Sequence, residues 1–255
     1  MNIAVHISFY YNEERFQYLR EVVSNINNYD DKTDIYIHTN KVFSANTLGE
    51  YYNGKLEMVV HDLSQVHPWF LTWKHRDLMA TQKNKYDIFM YIEDDILVPK
   101  EAISYWLNYK DNLIKNNLNL GFFRIEKDKK GDHYCTDNST SPDGKIKQYL
   151  TKSINVDNQS FIINDQNPYC AFWIYDKNEF NKFLQSKFWN TPTAFHPGIR
   201  EDSGFGMTNG YKDTVIPLIN NKLNENSKIY HLPNNYVGDF SNGWKLHLFD
   251  DVVKI

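Results

Sequence analysis

Cysteine is scarce in this chain of 255 residues, which contains only Cys135 and Cys170. A single pair of cysteines does not build the disulfide framework of a small secreted domain, and this scarcity suits a reducing compartment. No apolar run approaches the roughly 18 residues needed to span a bilayer. The N-terminus opens into a strand-like run without a basic region or a cleavage site. We therefore expect a cytoplasmic protein, soluble or peripherally attached to a membrane, with no transmembrane segment.

Positive charge is also in short supply, because the formal net charge is -4 at pH 7. The chain shows no basic stripe, so nucleic acid is not expected as a partner. The sequence has no Gly-x-Gly-x-x-Gly, no Gly-x-Ser-x-Gly and no cysteine pair at metal-binding spacing. Dinucleotide-binding, serine-hydrolase and zinc-site classes therefore lack support.

What the chain does have is a regular alternation of apolar runs and amphipathic segments over residues 1–126. Apolar runs predict buried strands at residues 3–9, 35–37, 56–60, 88–92 and 120–125. Helical spacing and capping residues predict helices after Asn12, over 74–83 and from Pro99 to about 116. This order predicts right-handed βαβ units and a mostly parallel central sheet flanked by helices.

The pattern loosens after residue 126. Residues 127–144 are charged and rich in Asp, Gly, Ser and Thr, which predicts a loop. Further elements are predicted beyond it, namely a strand over 169–175, a helix over 178–185 and strands over 214–219 and 228–232. No internal repeat and no linker-like composition marks a boundary, so a single α/β domain is predicted.

Glu93, Asp94 and Asp95 follow the run that predicts the fourth strand. Three carboxylates at the end of a buried strand are costly unless a cation or strong hydrogen-bond donors compensate them. Mg²⁺ and Mn²⁺ bind carboxylate oxygens together with substrate phosphates, so the triplet predicts a divalent-cation site. The alternative is a solvated acidic loop, but the apolar residues 96–98 that follow favour the site.

Other polar residues fall just after predicted strands, where ligands bind in parallel sheets. They are Tyr10, Tyr11, His38, Asn40 and Asp62. The tyrosines can stack on a nucleobase, the histidine and asparagine can hydrogen-bond to it, and the aspartate can accept a hydrogen bond from the base or the ribose. The alternative for each tyrosine is core packing.

The acidic triplet after its apolar strand resembles the Asp-x-Asp motif of GT-A glycosyltransferases. Glu93 replaces the usual first Asp, and Asp95 matches the last, usually metal-bound, position. Residues 8–13 are similar to the family's loop after the first strand, which receives the nucleoside. The segment Arg200-Glu201-Asp202 resembles the element that supplies the catalytic base in inverting members.

The resemblance implies a single GT-A domain, with 1–126 as the nucleotide-sugar half and 127–255 as the acceptor half. It implies a hexosyl- or pentosyltransferase that moves a sugar from a nucleoside diphosphate, UDP by family frequency, to an acceptor hydroxyl on a glycan, with inversion. Residues 67–76 and 91–95 together look like glycosyltransferases of large DNA viruses, which implies the cytoplasm of a host cell.

The resemblance also implies a Mn²⁺ or Mg²⁺ ion held by Glu93, Asp95 and His231, with Asp94 assisting at the donor diphosphate. Such an ion would offset the charge on the leaving nucleoside diphosphate. A histidine after a strand is also a common structural residue, so this alternative stays open for His231.

Cations and a base complete the expected site. Lys74 or Arg76 would pair with phosphate, the alternative for Arg76 being an ordinary helix-surface cation. Asp202 would be the general base opposite the leaving group, with Glu201 as the second choice. Asp202 can also cap a helix, and the two roles are compatible.

Two other functions compete with sugar transfer. A nucleotidyltransferase would show a glycine-rich, basic loop after the first strand to hold triphosphate, but residues 10–14 are acidic. A non-catalytic carbohydrate-binding protein could use the many aromatic side chains, yet it would not need three acids after a buried strand.

Overall fold

A computed structural model describes residues 1–190, 212–237 and 243–255. The described residues have a mixed α/β structure that divides into two compact units. The first unit comprises Met1–Lys100 and the described residues from 171 to 190, and the second comprises Glu101–Cys170 and the described residues from 212 onward. Each unit has a hydrophobic core of its own. Organisation as a single domain, with halves 1–126 and 127–255, stays a prediction.

The strands of the first unit are β1 (Asn2–Phe9), β2 (Lys32–Thr39), β3 (Leu56–Val60), β4 (Ile88–Glu93), β5 (Ile96–Leu97) and β11 (Phe172–Asp176). Those of the second are β6 (Asn119–Leu120), β7 (Phe123–Lys127), β8 (His133–Thr140), β9 (Ser153–Val156), β10 (Gln159–Ile163), β12 (Thr214–Ile219), β13 (Lys222–Leu223), β14 (Lys228–His231) and β15 (Lys245–Leu248). The described α-helices are α1 (Phe16–Ile26), α2 (His75–Thr81), α3 (Lys100–Lys115), α4 (Lys177–Gln185) and α5 (Lys187–Asn190). In the described part of the chain, every helix is too short or too polar to cross a membrane.

The sheet of the first unit has the strand order β11-β4-β1-β2-β3. β1 is parallel to β2 and β4, β2 is parallel to β3, and β11 is antiparallel to β4. β1 is buried on both faces from Ile3 to Phe9, as its unbroken apolar run predicts. Ser8 lies opposite His38 on one side and Glu93 on the other. The carboxyl ends of β1, β2 and β4 therefore meet at one edge of the sheet.

The turn that follows β1 is held by a cap and by the helix after it. The Asn12 side chain accepts a hydrogen bond from the Glu14 N–H at 2.9 Å and caps a short 3-10 turn, Glu13–Arg15, which leads into α1. The helix predicted after Asn12 from its helical spacing is confirmed, and the residues of α1 that are buried are Phe16, Leu19, Val22, Val23 and Ile26. Burying each such side chain contributes about 1.5–3 kcal/mol, so the packing of α1 anchors the turn in front of it.

The second unit contains two sheets. One has the order β15-β8-β7-β14, and the other has the order β13-β12-β10-β9 with β6 beside β12. The loop expected over the whole of 127–144 is wrong, because the strand β8 (His133–Thr140) lies within that segment. The polar residues of β8 have low strand propensity. Its pairing with β7 on one side and β15 on the other outweighs this low propensity. Arg124 adds a cross-strand ion pair, with 2.7 Å between its Nη2 and Asp137 Oδ1.

The strand predicted over 120–125 is interrupted at Gly121 and forms β6 and β7 instead. A Cβ atom on this glycine would lie 2.6 Å from Thr214 Cγ2 and 3.0 Å from Ile216 Cδ1. β12 can approach β6 this closely only because residue 121 has no side chain. The strands predicted over 56–60 and 214–219 are confirmed at their predicted bounds.

Candidate functional site

A cavity of about 370 Å³ opens in the first unit beside the carboxyl ends of β1 and β4. One wall comes from β1 and the turn after it, a second from the 3-10 segment Pro68–Trp73, and the third from the end of β4. The residues that line it are Ser8, Tyr10, Asn12, Arg15, Pro68, Trp69, Leu71, Thr72, Glu93 and Asp94. Exposed aromatic surface and charged groups thus share one cavity.

The acidic triplet is almost fully buried, with Glu93 and Asp94 each 5% exposed and Asp95 4% exposed. The Glu93 N–H donates to the Ala171 carbonyl at 3.2 Å, and the Asp94 N–H donates to the Ser8 carbonyl at 3.1 Å. These bonds tie the end of β4 to its two neighbours in the sheet. A solvated acidic loop is therefore not what the structure shows, and the carboxylates need partners.

Arg15 is the partner of two of these carboxylates. Its Nε donates to Asp94 Oδ2 at 2.8 Å, and its Nη2 donates to Asp94 Oδ1 at 3.0 Å and to Asp95 Oδ2 at 2.8 Å. The two-pronged contact with Asp94 is the strong geometry of an arginine–carboxylate pair. Arg15 is not among the predicted site residues, since nothing in its local spacing marks it as a partner of residues 94 and 95.

Burial decides the protonation chemistry of this cluster. Burial raises the pKa of Asp94 to about 7, and the neighbouring charge of Asp95 adds to the effect, while Arg15 acts in the opposite direction. Burial lowers the pKa of Arg15, but its hydrogen bonds and charge interactions with Asp94 and Asp95 outweigh this and raise that pKa above its ordinary value. The guanidinium does not fully compensate Asp94, so the cluster favours additional positive charge or a proton.

The donor set suits a divalent cation of the magnesium type. Among the described residues, no group of three or more His, Cys, Asp or Glu side chains converges closely enough to hold a metal by itself. Mg²⁺-type sites need only one or two protein carboxylates, because waters and substrate phosphates supply the other ligands. Asp94 and Asp95 already converge on one cation, the Arg15 guanidinium, which stands in for such an ion.

The residues expected at the nucleoside occupy different positions. Tyr10 is 47% exposed and lines the cavity. Tyr11 packs edge-on against Phe16 with 5.6 Å between ring centroids, and the Lys41 Nζ lies 4.1 Å from the centroid of its ring. Asn40 accepts a hydrogen bond from the Tyr11 N–H at 2.8 Å, so it holds the turn after β1 in place.

His38 lies inside a buried row of histidines that the sequence did not predict. Its Nε2 is 2.9 Å from His6 Nδ1, and its Nδ1 is 2.8 Å from His61 Nε2. His6 Nε2 is 2.9 Å from Gln82 Oε1, which ends the row. Burial lowers the pKa of His6 to about 3 and lowers that of His38 well below its usual value. Both rings are therefore neutral at physiological pH.

The remaining expected ligands of the first unit do not line the cavity. Asp62 is exposed and accepts a hydrogen bond from the Ser64 N–H at 2.8 Å. Lys74 stands at the N-cap of α2. Arg76 is 4% exposed, and its Nη1 donates to the carbonyls of Phe188 and Trp189 at 2.5 Å each. Arg76 also lies 3.9 Å from the centroid of the Trp73 ring, so it binds core groups in this structure.

His231 belongs to the second unit, where it is paired with a buried acid. Its Nδ1 is 2.5 Å from Glu126 Oε1, and Glu126 Oε2 accepts hydrogen bonds from the N–H groups of Tyr236 at 2.8 Å and Val237 at 2.7 Å. A carboxylate on one ring nitrogen fixes the tautomer and orientation of a histidine, which is also how metal-binding histidines are held. Glu201 and Asp202 lie outside the described residues, so their roles stay predictions.

No protein-family model and no curated protein sequence matches the chain. Two solved structures share a limited likeness with this chain. One, titled S. aureus TarS 1-349, is 10% identical over 93% of this chain and 62% of that chain, with a TM-score of 0.49. The other, titled S. aureus TarS, is 11% identical over 72% of this chain and 30% of that chain, with a TM-score of 0.39. This chain thus spans less than two thirds of the length of either structure.

Proposed function

We propose that this protein is a glycosyltransferase that binds the nucleoside diphosphate of its sugar donor in the cavity beside β1 and β4. The observation that carries the proposal is the meeting, in one cavity, of an exposed aromatic ring with buried carboxylates held by a cation. The cavity lies where parallel sheets bind ligands, at the carboxyl ends of the strands. The resemblance of residues 8–13 and of the acidic triplet to GT-A glycosyltransferases supports the same assignment.

The nucleoside would occupy the aromatic end of the cavity. Tyr10, which is 47% exposed, lines the cavity, and Trp69 lines it from the segment Pro68–Trp73. Flat amphipathic rings stack on bases with part of their surface in water. Ser8 Oγ is buried beside the cavity and has no hydrogen-bond partner among the described residues, so it can donate to a ligand oxygen.

The diphosphate would lie at the charged end. Asp95, with Glu93 and Asp94 beside it, would hold a Mn²⁺ or Mg²⁺ ion together with phosphate oxygens and water, and this ion would supply a Lewis acid to the leaving group. Arg15 can pair with phosphate oxygens because a guanidinium matches their geometry. UDP is the nucleotide that the family resemblance favours.

Transfer itself requires a base for the acceptor hydroxyl. We assign this role to Asp202, with Glu201 as the alternative, and assign the acceptor to a glycan. The role of His231 as a ligand stays a prediction of the family resemblance; within its own unit, Glu126 orients its imidazole. Replacing Asp202 by Asn should preserve donor binding and lower transfer by about a hundredfold or more. Wild-type rates in Asp202→Asn would rule out this base.

Thermal unfolding with a panel of nucleoside diphosphates, each with and without Mn²⁺, tests the proposal. Stabilisation by one nucleotide in the presence of Mn²⁺ is expected, because a ligand of the folded state raises the melting temperature. The effect should disappear in Asp95→Ala. The control is Asp30→Ala, which removes an exposed carboxylate of the same unit. No shift with any nucleotide, together with a shift for a free oligosaccharide, would instead identify a carbohydrate-binding protein.

A further inference from the structure

Arg15 uses only part of its hydrogen-bonding capacity on the acids. Its Nε and Nη2 make all three bonds to Asp94 and Asp95. No described residue accepts a hydrogen bond from its Nη1, which leaves two N–H donors for another partner. These two donors are available to a ligand that enters the cavity.

Exposure distinguishes the cation from the acids it binds. The Arg15 side chain is 33% exposed, whereas those of Asp94 and Asp95 are 8% and 6% exposed. Arg15 also lines the cavity. An anion that enters the cavity therefore meets the guanidinium on the accessible side of the cluster.

A divalent cation and Arg15 compete for these carboxylates in the observed arrangement. The guanidinium occupies both oxygens of Asp94 and one oxygen of Asp95. Mg²⁺ binds carboxylate oxygens at about 2.0–2.1 Å, so an ion on the same oxygens would lie against the guanidinium, and the two positive charges would repel each other. Binding of one cation therefore weakens binding of the other.

The backbone of Arg15 is anchored, while its side chain is long enough to change partners. The Arg15 N–H donates to the Asn12 carbonyl at 3.1 Å, and α1 begins at the next residue. An exchange of cations at the acids therefore requires only rotation of the arginine side chain about its own bonds, with no movement of the turn.

We propose that Arg15 and a divalent cation are alternative partners of the Asp94–Asp95 pair, and that ion binding releases the guanidinium to the phosphate of the donor. In the metal-free protein Arg15 keeps the two carboxylates together at the end of β4. This inference rests on the proposed function for the identity of the anion, but the exchange at the carboxylates can be measured with the metal alone.

Calorimetric titration of Mn²⁺ into the wild type and Arg15→Gln, without nucleotide, is the decisive experiment. Competition for the same oxygens predicts that Arg15→Gln binds Mn²⁺ at least about tenfold more tightly. Arg15→Lys retains the charge but not the two-pronged geometry, so its Mn²⁺ affinity should lie between the two. The matched control is Arg20→Gln, which removes an exposed arginine from α1 and should leave Mn²⁺ affinity within about twofold of the wild type.

A second titration, of UDP at saturating Mn²⁺, tests the released guanidinium. Arg15→Gln should bind the nucleotide about tenfold more weakly than the wild type, although it binds the metal more tightly. Opposite effects on the two ligands would not arise from general damage to the fold, and a thermal melt of each variant checks that it folds. If Arg15→Gln does not fold, Arg15→Lys provides the same comparison with smaller changes.

Unchanged or weaker Mn²⁺ binding by Arg15→Gln would overturn the inference, and so would a failure of both proteins to bind Mn²⁺. A wild type that binds Mn²⁺ but no nucleoside diphosphate would instead overturn the proposed donor site. In that case the Mn²⁺ titration would still decide whether Arg15 and the ion exchange.

Discussion

Two groups of buried ionisable side chains lie on the sheet of the first unit, and they tolerate burial in opposite ways. At the end of β4, Asp94 and Asp95 are paired with the charged guanidinium of Arg15. Between β1 and β2, His6 and His38 bond to each other and remain neutral because burial lowers their pKa values. Burying an isolated charge would cost much free energy. The first group avoids this cost by pairing its charges, and the second avoids it because its rings stay neutral.

The two groups respond to pH in opposite directions. His75 is also buried, and its ring centroid lies 6.2 Å from those of His6 and His38. The pKa values of all three histidines are lowered, chiefly by burial, from an unfolded value of about 6.5. Below that pH the unfolded chain takes up protons that the folded histidines do not, so stability is full above pH 6.5 and falls as the pH decreases. The pKa of Asp94 is raised to about 7, so its contribution is present at low pH and is lost as the pH rises towards 7.

Acidification should give the largest effect. Each histidine that is protonated only on unfolding contributes about 1.4 kcal/mol per pH unit. Three such histidines opposed by one carboxylate give a net slope of roughly 3 kcal/mol per pH unit below pH 6.5. Urea unfolding at pH values from 5 to 8, followed by tryptophan fluorescence, measures this slope. A free energy of unfolding that stays constant from pH 7 to 5 would show that the histidines titrate normally.

Interrupting the row of histidines should have a smaller effect. His38→Phe removes both bonds of the central ring and leaves His6 Nδ1 and His61 Nε2 without their partner. We expect a loss of about 1–3 kcal/mol at pH 7, because buried polar groups become unsatisfied. The pH slope should also decrease by about 1.4 kcal/mol per pH unit, since one titrating group is absent.

The matched control for the histidine row is His67→Asn. His67 is exposed and accepts a hydrogen bond from the Trp69 N–H at its Nδ1, a capping role that asparagine can also fill. The control should leave both the stability and the slope nearly unchanged. An equal change in slope for the two variants would contradict a special role for the buried row.

Neutralising the acid of the other group should have the smallest effect at pH 7. Asp94→Asn keeps the shape of the side chain and should change stability by no more than about 1 kcal/mol, as for a modest change in hydrogen bonding. It removes the group that opposes the histidines, so the pH slope between 5 and 6.5 should become steeper by about 1.4 kcal/mol per pH unit. The same urea series measures this slope, and the control is Asp30→Asn, a change at an exposed carboxylate. An unchanged slope would show that Asp94 is ionised throughout this range.

Local sequence patterns predicted much of the framework of the first unit. The apolar face of α1 and the burial of β1 are confirmed, because spacing along the chain alone determines which side chains share a face. The prediction that the fourth strand leads into the acidic triplet is also confirmed, since β4 ends at Glu93. In the second unit the polar residues of β8 concealed a strand that exists through pairing with β7 and β15.

The partners of the buried ionisable groups were not predictable in this way. Arg15 and Asp94 are 79 residues apart, and His6 and Gln82 are 76 residues apart. These contacts depend on which strands are neighbours and on their register, which places Ser8 opposite both His38 and Glu93. The sequence by itself determined where the strands, the apolar faces and the acidic triplet lie. Only the tertiary structure decided which cation meets the carboxylates and which histidines meet each other, because strand order and register arise from long-range pairing that no local period encodes.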